Sequence, residues 1–210
     1  MNKPKNFDKA RAKAFTGKVI SDVAGAVTLH LCAIGDRLGL FKDLAENGPT
    51  DPEAFAMRTG IDARYAREWL EAMAAAAYVE FDPESSNFTL PPEHARPLAD
   101  DTSPLFQGAL WSMLTYSMAP FDELVEAFRN GGGVPQSSFR PELYTSMQRS
   151  SGLRYRNFLL NTWLPDMPDV VAMLERGVDA VDVGCGRGTA IMMMAEAYPK
   201  SRFWGYDAFA

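Results

Sequence analysis

The residues with most chemical promise are the glycines and acids of "AVDVGCGRGTA", residues 180–190, together with Asp207. Gly184, Gly186 and Gly188 alternate with Cys185 and Arg187; Asp182 stands two residues before the first glycine and Asp207 nineteen after the last. Glycines at this spacing let a chain turn sharply and let a ligand approach main-chain amides with no Cβ in the way. The flanking elements must aim that loop. "VDAVDV" is rich in β-branched residues and reads as a buried parallel strand, "TAIMMMAEAY" has helical composition and stops at Pro199, and "RFWGYD" reads as a second strand. The expected β–α–β unit, with its right-handed crossover, sets the loop and Asp207 side by side at the strands' carboxyl ends.

Three ligand classes use such a loop. A phosphate-binding G-x-x-x-x-G-K-[ST] loop needs a lysine, and residues 180–199 contain none. A dinucleotide-binding G-x-G-x-x-G loop, counted from Gly184, would have Thr189 where the third glycine belongs, and Asp182 would set negative charge beside a pyrophosphate. A nicotinamide-dependent oxidoreductase is therefore the weaker alternative. A ligand with cationic groups and no phosphate suits a loop bracketed by two acids. Cys185, at a helix start, has a setting that could lower a thiol's pKa, against the simpler reading of a small residue at the ligand's edge.

Upstream, Val19, Ile20, Val23, Val27, Leu31, Ile34 and Leu38 recur at steps of three and four, so residues 8–38 read as one helix. After "ENGPTDPE" come short helices. Thr50 with Glu53 fits a capping box, with Pro52 in the first turn and Gly60 at the end. Asp62 caps the next helix, which carries Tyr65, Ala66, Trp69, Leu70, Met73 and Ala77 on one side. "YVEFD" and "NFTL" alternate around "PESS" as a hairpin. Helices followed by a hairpin give the order of a winged helix-turn-helix.

Charge weighs against DNA. Residues 53–73 set Arg58, Arg64 and Arg67 against Glu53, Asp62, Glu68 and Glu71, and the hairpin adds Glu80, Asp82 and Glu84. Such a wing would point carboxylates at phosphate. The whole chain, 210 residues with net charge −6, is likewise no nucleic-acid protein by composition. Only the first eighteen residues are basic (Lys3, Lys5, Lys9, Arg11, Lys13 and Lys18 against Asp8), and they read as a solvated face. The uncharged run near residue 72 is too short to span a bilayer, no secretory signal is evident, and Cys32 and Cys185 form no metal or redox spacing. A reduced, cytoplasmic protein with no membrane, nucleic-acid or metal partner is expected.

Residues 103–164 read as three or four helices interrupted by "NGGGVPQSS", the first dense in apolar groups from Leu105 to Phe121 that suit a core, an interface or an apolar pocket. A helix over about 168–176, closed by Gly177, leads into the glycine loop.

The G-x-G-x-G loop, its preceding acid and the strand-terminal acid resemble the cofactor motif of class I S-adenosylmethionine-dependent methyltransferases. The layout, from "LGLFKDLAENGPTDPEAFAMRTGIDARYAREWLEAM" through the wing to "VDVGCGRGTA", is similar to that of bacterial methyltransferases with an amino-terminal winged helix and of plant small-molecule O-methyltransferases. The resemblance implies a fold of a mainly α winged helix-turn-helix and helical region, followed by the first β–α–β unit of an α/β Rossmann-like domain. It implies a winged-helix and dimerisation domain over residues 1–100, a helical, substrate-pocket region over 101–167, and the start of the cofactor domain over 168–210. It also implies S-adenosyl-L-methionine held by Asp182, Gly184, Cys185, Gly186, Gly188 and Asp207, with Asp207 on the ribose diol and Asp182 on loop amides or the cofactor's ammonium. A small-molecule methyl acceptor and a homodimer built by the amino-terminal domain follow. The two histidines, His30 and His94, both fall in the winged-helix half, and no catalytic residue is assigned. A sheet of this family needs more than the two strands legible here, so the sequence predicts a carboxy-terminally truncated chain, inactive and without a stable cofactor domain by itself. A regulatory or scaffolding winged helix without catalysis is the other alternative.

Overall fold

In the computed structural model residues 7–208 are described, so Lys3 and Lys5 lie outside the described residues. The chain divides into two compact units, Met1–Ala99 and Asp100–Ala210.

The first unit begins with α1 (Lys9–Leu38), capped by Asp8, whose carboxylate accepts from the amides of Ala10 and Arg11. It continues through α2 (Leu40–Asn47), α3 (Pro52–Thr59), α4 (Ala63–Ala75), the antiparallel wing β1 (Glu80–Asp82) and β2 (Asn87–Thr89), and α5 (Pro92–Leu98). Trp69 is the keystone. Its ring meets Phe41 edge-on at 5.0 Å and stacks on Phe55 at 6.0 Å, and its indole N–H donates to the Leu31 carbonyl at 2.9 Å. Gly35 makes this possible, because a Cβ there would stand 2.5 Å from the indole. Phe41, Phe55, Leu70 and Met73 complete a fully buried core.

Several expectations change in this unit. Asp51, not Thr50, caps α3: its carboxylate accepts the Ala54 amide at 2.9 Å, which holds its pKa below the ordinary value. Thr50 is drawn away because its backbone pairs with Phe88 of the wing, through N–H···O bonds of 3.0 and 2.8 Å. Tyr65 is 70% exposed, and Ala77 has left the helix with a positive φ, so neither joins Ala66, Trp69, Leu70 and Met73 in the core. Helix α5 went unread because a seven-residue helix with Pro97 inside it has too few turns to show a period.

Helix α1 also differs from expectation. An 18-residue window within it reaches a mean hydropathy of 1.4, long and apolar enough by length and composition to cross a membrane. A search for an uncharged run passes over it because Lys18 and Asp22, an ion pair one turn apart, interrupt the segment. Phe15, Val19, Ile20, Val23 and Val27 are exposed, and the helix buries only Cys32, Ala33 and Gly35.

The second unit holds α6 (Gly108–Ser117), α7 (Phe121–Asn130), a 3₁₀ turn (Gln136–Ser138), α8 (Pro141–Arg154) running into a π-helix (Tyr155–Trp163), α9 (Pro168–Arg176), and then β3 (Asp179–Val183), α10 (Thr189–Ala197) and β4 (Arg202–Tyr206). The apolar run from Leu105 to Phe121 is broken at Met118–Pro120 into two helices. Strands β3 and β4 are parallel, with Asp182 opposite Gly205 and Val183 opposite Tyr206. Leu159, Leu164 and Leu174 form the core under them, packed by Val178, Ala190, Met193, Met194, Tyr198 and Phe203. Ser201 fastens α9 to the strands: its hydroxyl donates to the Leu174 carbonyl at 2.7 Å and accepts the Val178 amide at 3.0 Å. Gly177 turns the chain between them with φ of 102°, where a Cβ would meet the Lys200 carbonyl oxygen at 2.7 Å.

Candidate cofactor loop

The two strands end together, and the loop between β3 and α10 is fastened to the last residues of β4. The amides of Gly184 and Cys185 both donate to the Tyr206 carbonyl, at 2.7 and 3.2 Å. The Gly186 amide donates to Asp207 Oδ2 at 2.8 Å. The Gly188 amide closes the turn onto the Cys185 carbonyl at 3.0 Å, and Gly188 is the residue from which α10 starts. Asp207 therefore belongs to the loop as much as to the strand.

Gly184, Gly186 and Gly188 have φ of 85°, 55° and 76°, the left-handed region where a side chain is strained. Among the described residues, nothing lies within 4 Å of where a Cβ would stand on any of the three. The loop is thus a bare-backbone cradle facing open space, which fits a ligand resting on the main chain.

The structure brings Gly184, Cys185, Gly186, Gly188 and Asp207 together in one hydrogen-bonded turn. Asp182 sits one residue pair back along β3, half-buried, and among the described residues the loop amides bond to Tyr206, Cys185 and Asp207 rather than to it. Cys185 packs sideways onto β4, its sulfur 2.8 Å from where a Cβ on Gly205 would stand. Gly205 is thus a further residue the loop requires. The signal for it was available, since a glycine inside a strand marks a close approach.

The arginines of α3 and α4 each have an acid beside them. Arg58 grips Asp43 through bonds of 2.7 to 3.0 Å, which raises its pKa, Arg67 pairs with Glu53, and Arg64 lies 3.9 Å from Glu68. A pocket of about 530 Å³ beside the wing is lined by Asp51, Glu53, Arg67, Glu71, Phe81 and Phe88, a carboxylate-rich surface unsuited to phosphate. His94 serves the frame: its Nδ1–H donates to the Tyr78 carbonyl at 2.9 Å. His30 is on the exposed surface of α1. No group of three or more metal-ligating side chains occurs among the described residues.

Comparison with known proteins decides the fold. Residues 25–100 match the family described as Rv2258c-like winged HTH domain. The structure of mitomycin 7-O-methyltransferase MmcR aligns over 94% of this chain and 60% of its own, with a TM-score of 0.65 at 20% identity. The chain has the fold of a winged-helix methyltransferase. PigF, solved with SAH, covers 91% of this chain and 66% of its own with a TM-score of 0.62 at 19% identity. Human N-acetylserotonin methyltransferase, solved with SAM, covers 97% and 60% with a TM-score of 0.55 at 21% identity. The chain thus spans less than two thirds of the length of these methyltransferase structures. No curated protein matches the sequence.

Proposed function

We propose that this chain carries the cofactor loop of an S-adenosylmethionine-dependent methyltransferase acting on a small-molecule acceptor. The observation that carries the reading is the open glycine cradle fastened to Asp207 at the ends of two parallel strands. Three solved structures of this fold bear on the reading: one is an O-methyltransferase by name, one was solved with SAH, and one with SAM.

Bound there, the cofactor supplies an electrophilic methyl group on a sulfonium. The work of this chain is to hold and orient. The bare amides around Gly184, Gly186 and Gly188 accommodate the methionyl and ribose portions without steric obstruction. Asp207 accepts hydrogen bonds from the ribose diol while it holds the Gly186 amide. Asp182 stands behind the loop for the ammonium, directly or through water. Cys185, wedged against Gly205, fixes the loop sideways and has no chemical part in this reading. An in-line displacement with a neutral leaving group depends mainly on such positioning.

We also place residues 1–100 as a dimerisation domain, 101–167 as a helical region contributing to the acceptor pocket, and 168–210 as the start of the cofactor domain. The exposed stripe of Phe15, Val19, Ile20, Val23 and Val27 on α1 supports a second copy as its cover. A carboxylate introduced at Val23 should therefore turn a dimer into a monomer by light scattering; an unchanged mass would remove α1 from the interface. The arginines paired within the winged helix support its use in packing rather than in reading DNA.

Equilibrium binding with labelled S-adenosylmethionine, competed by SAH and by NAD(H), tests the cofactor assignment. SAH should displace the label and NAD(H) should not. Displacement by NAD(H) would transfer the site to the oxidoreductase class.

A further inference from the structure

The antiparallel wing sets two phenylalanines side by side. Phe81 and Phe88 are paired across the strands, with ring centroids 4.8 Å apart and planes tilted by 40°. Phe88 is buried and its backbone is stitched to Thr50 just before α3, whereas Phe81 is 48% exposed. Beside this pair α4 presents Arg67, Glu71 and Ala74, at steps of four and three that put them on one face of the helix. The start of α3 supplies Asp51 and Glu53. Together they line the cavity of about 530 Å³ described above, which lies wholly within the first unit. That volume suits a small molecule, for which pockets run from about 300 to 1,000 Å³.

The charge of this groove has one sign once its internal pairing is taken into account. Among the described residues of the lining Arg67 is the only cation, and Glu53 already holds it. The Ala54 amide keeps the Asp51 carboxylate ionised, with its pKa below the ordinary value. Glu71 makes no hydrogen bond or ion pair among the described residues. A guest here therefore meets two uncompensated carboxylates and an exposed aromatic ring. An anion is excluded by repulsion, and a neutral apolar guest would leave Glu71 unanswered. An organic cation answers both features, because an ammonium pairs with a carboxylate and a flat apolar body packs on a ring.

We propose that the groove between α4 and the wing binds a small organic cation, an ammonium carried on a flat apolar body, with Glu71 on the charge and Phe81 against the body. In helix-turn-helix proteins that read DNA, the second helix of the pair enters the major groove. Here that helix is α4, and its side toward the wing is built for a ligand of the opposite charge to phosphate. The inference concerns the winged helix alone and does not rest on the cofactor reading.

The test is a titration of the full chain followed by two-dimensional amide NMR. The probes are phenethylamine and phenylpropionate, which share a ring and a short chain and differ in the sign of the charge. Phenethylamine should bind with a Kd of about 1 mM, ordinary for a probe this small, and shift amides around Glu53, Glu71 and Phe81. Phenylpropionate should shift none of them. Glu71→Gln should weaken phenethylamine about 3- to 5-fold, and Phe81→Ala about 2- to 10-fold. Glu84→Gln, which removes a wing carboxylate outside the lining, should leave the affinity unchanged. Glu71 and Phe81 are both exposed, so each variant should keep the amide spectrum of the folded chain. Absence of any shift at ten times the expected Kd would overturn the proposal, and so would equal shifts from phenylpropionate. A loss in Glu84→Gln as large as in Glu71→Gln would trace binding to the general charge of the wing and overturn it as well. So would an affinity indifferent to both Glu71→Gln and Phe81→Ala. Tetralysine binding more tightly than phenethylamine would give the groove to a basic peptide instead.

Discussion

The winged-helix unit and the glycine-loop unit treat apolar side chains in opposite ways. Phe41, Phe55, Leu70 and Met73 of the first are at most 1% exposed, whereas Val181 and Val183 of β3 are 59% and 81% exposed. In the first unit, Phe41 of α2 and Phe55 of α3 pack on Trp69 of α4, whose indole also bonds to the backbone of α1. In the second, the inner face of the strand pair, Ala180 and Phe203, is covered by α9, α10 and the π-helix. Val181, Val183 and Tyr206 on the outer face are exposed among the described residues, and Trp204 there carries only the Arg202 guanidinium over its ring. The contrast separates two kinds of order. The winged helix is fixed by packing, while the glycine loop is fixed by hydrogen bonds from its amides to the Tyr206 carbonyl and the Asp207 carboxylate and faces open space.

The largest expected difference between the units is in amide exchange. Amides of α4 and of the carboxyl-terminal part of α1 should exchange at least about a hundredfold more slowly than those of residues 180–206, because opening free energy follows burial and local contact density. Uniform protection across both units would abolish the contrast.

Much of this division was legible in the sequence, for identifiable reasons. The glycine spacing, the β-branched run before it and the acid at residue 207 are local signals, and each lands where the backbone needs it. What escaped reading depends on distant partners. Thr50 lost its cap to Asp51 because Phe88, far along the chain, pairs with its backbone. Gly35 and Gly152 look like ordinary helix glycines until Trp69 and Arg156 are seen against them. The approach of Thr189 to Gly152 is tertiary, and no spacing in the sequence announces it.

Truncating the keystone sharpens the comparison next. Trp69→Ala should destabilise the winged helix by about 3–5 kcal/mol in urea titrations, the usual cost of removing a buried aromatic ring. The tertiary signals of the glycine-loop unit should change little. Loss below about 1 kcal/mol would mean that the site collapses without a cavity and that Trp69 is no keystone.

In the loop, Asp207→Ala should weaken SAH by roughly 2–4 kcal/mol, since it removes hydrogen bonds to a charged acceptor along with the anchor of the Gly186 amide. The stability of the winged helix should not move. Calorimetry giving wild-type affinity in this variant would take Asp207 out of the site.

A smaller effect follows from Cys32. Burial pushes its thiol up to about 12 from an ordinary 9.0, only partly offset by a hydrogen bond with Tyr78. Burial, with the neighbouring Cys32, also raises the Tyr78 hydroxyl. A raised pKa in the folded state gives stability that is complete below the unfolded value and declines as pH rises through the folded one. The winged helix should therefore lose stability between pH 9.0 and 12, and Cys32→Ala should reduce that slope. An identical slope in the variant would leave the thiol without a part in it.

The most direct test of the central claim is amide exchange of the same chain with and without SAH. Ligand should slow exchange across the loop at residues 182–190 and at the end of β4, and leave the winged-helix core as it was. Protection that arises instead beside the wing, or a loop whose exchange is untouched by saturating ligand, would contradict the assignment of the glycine cradle as the cofactor site.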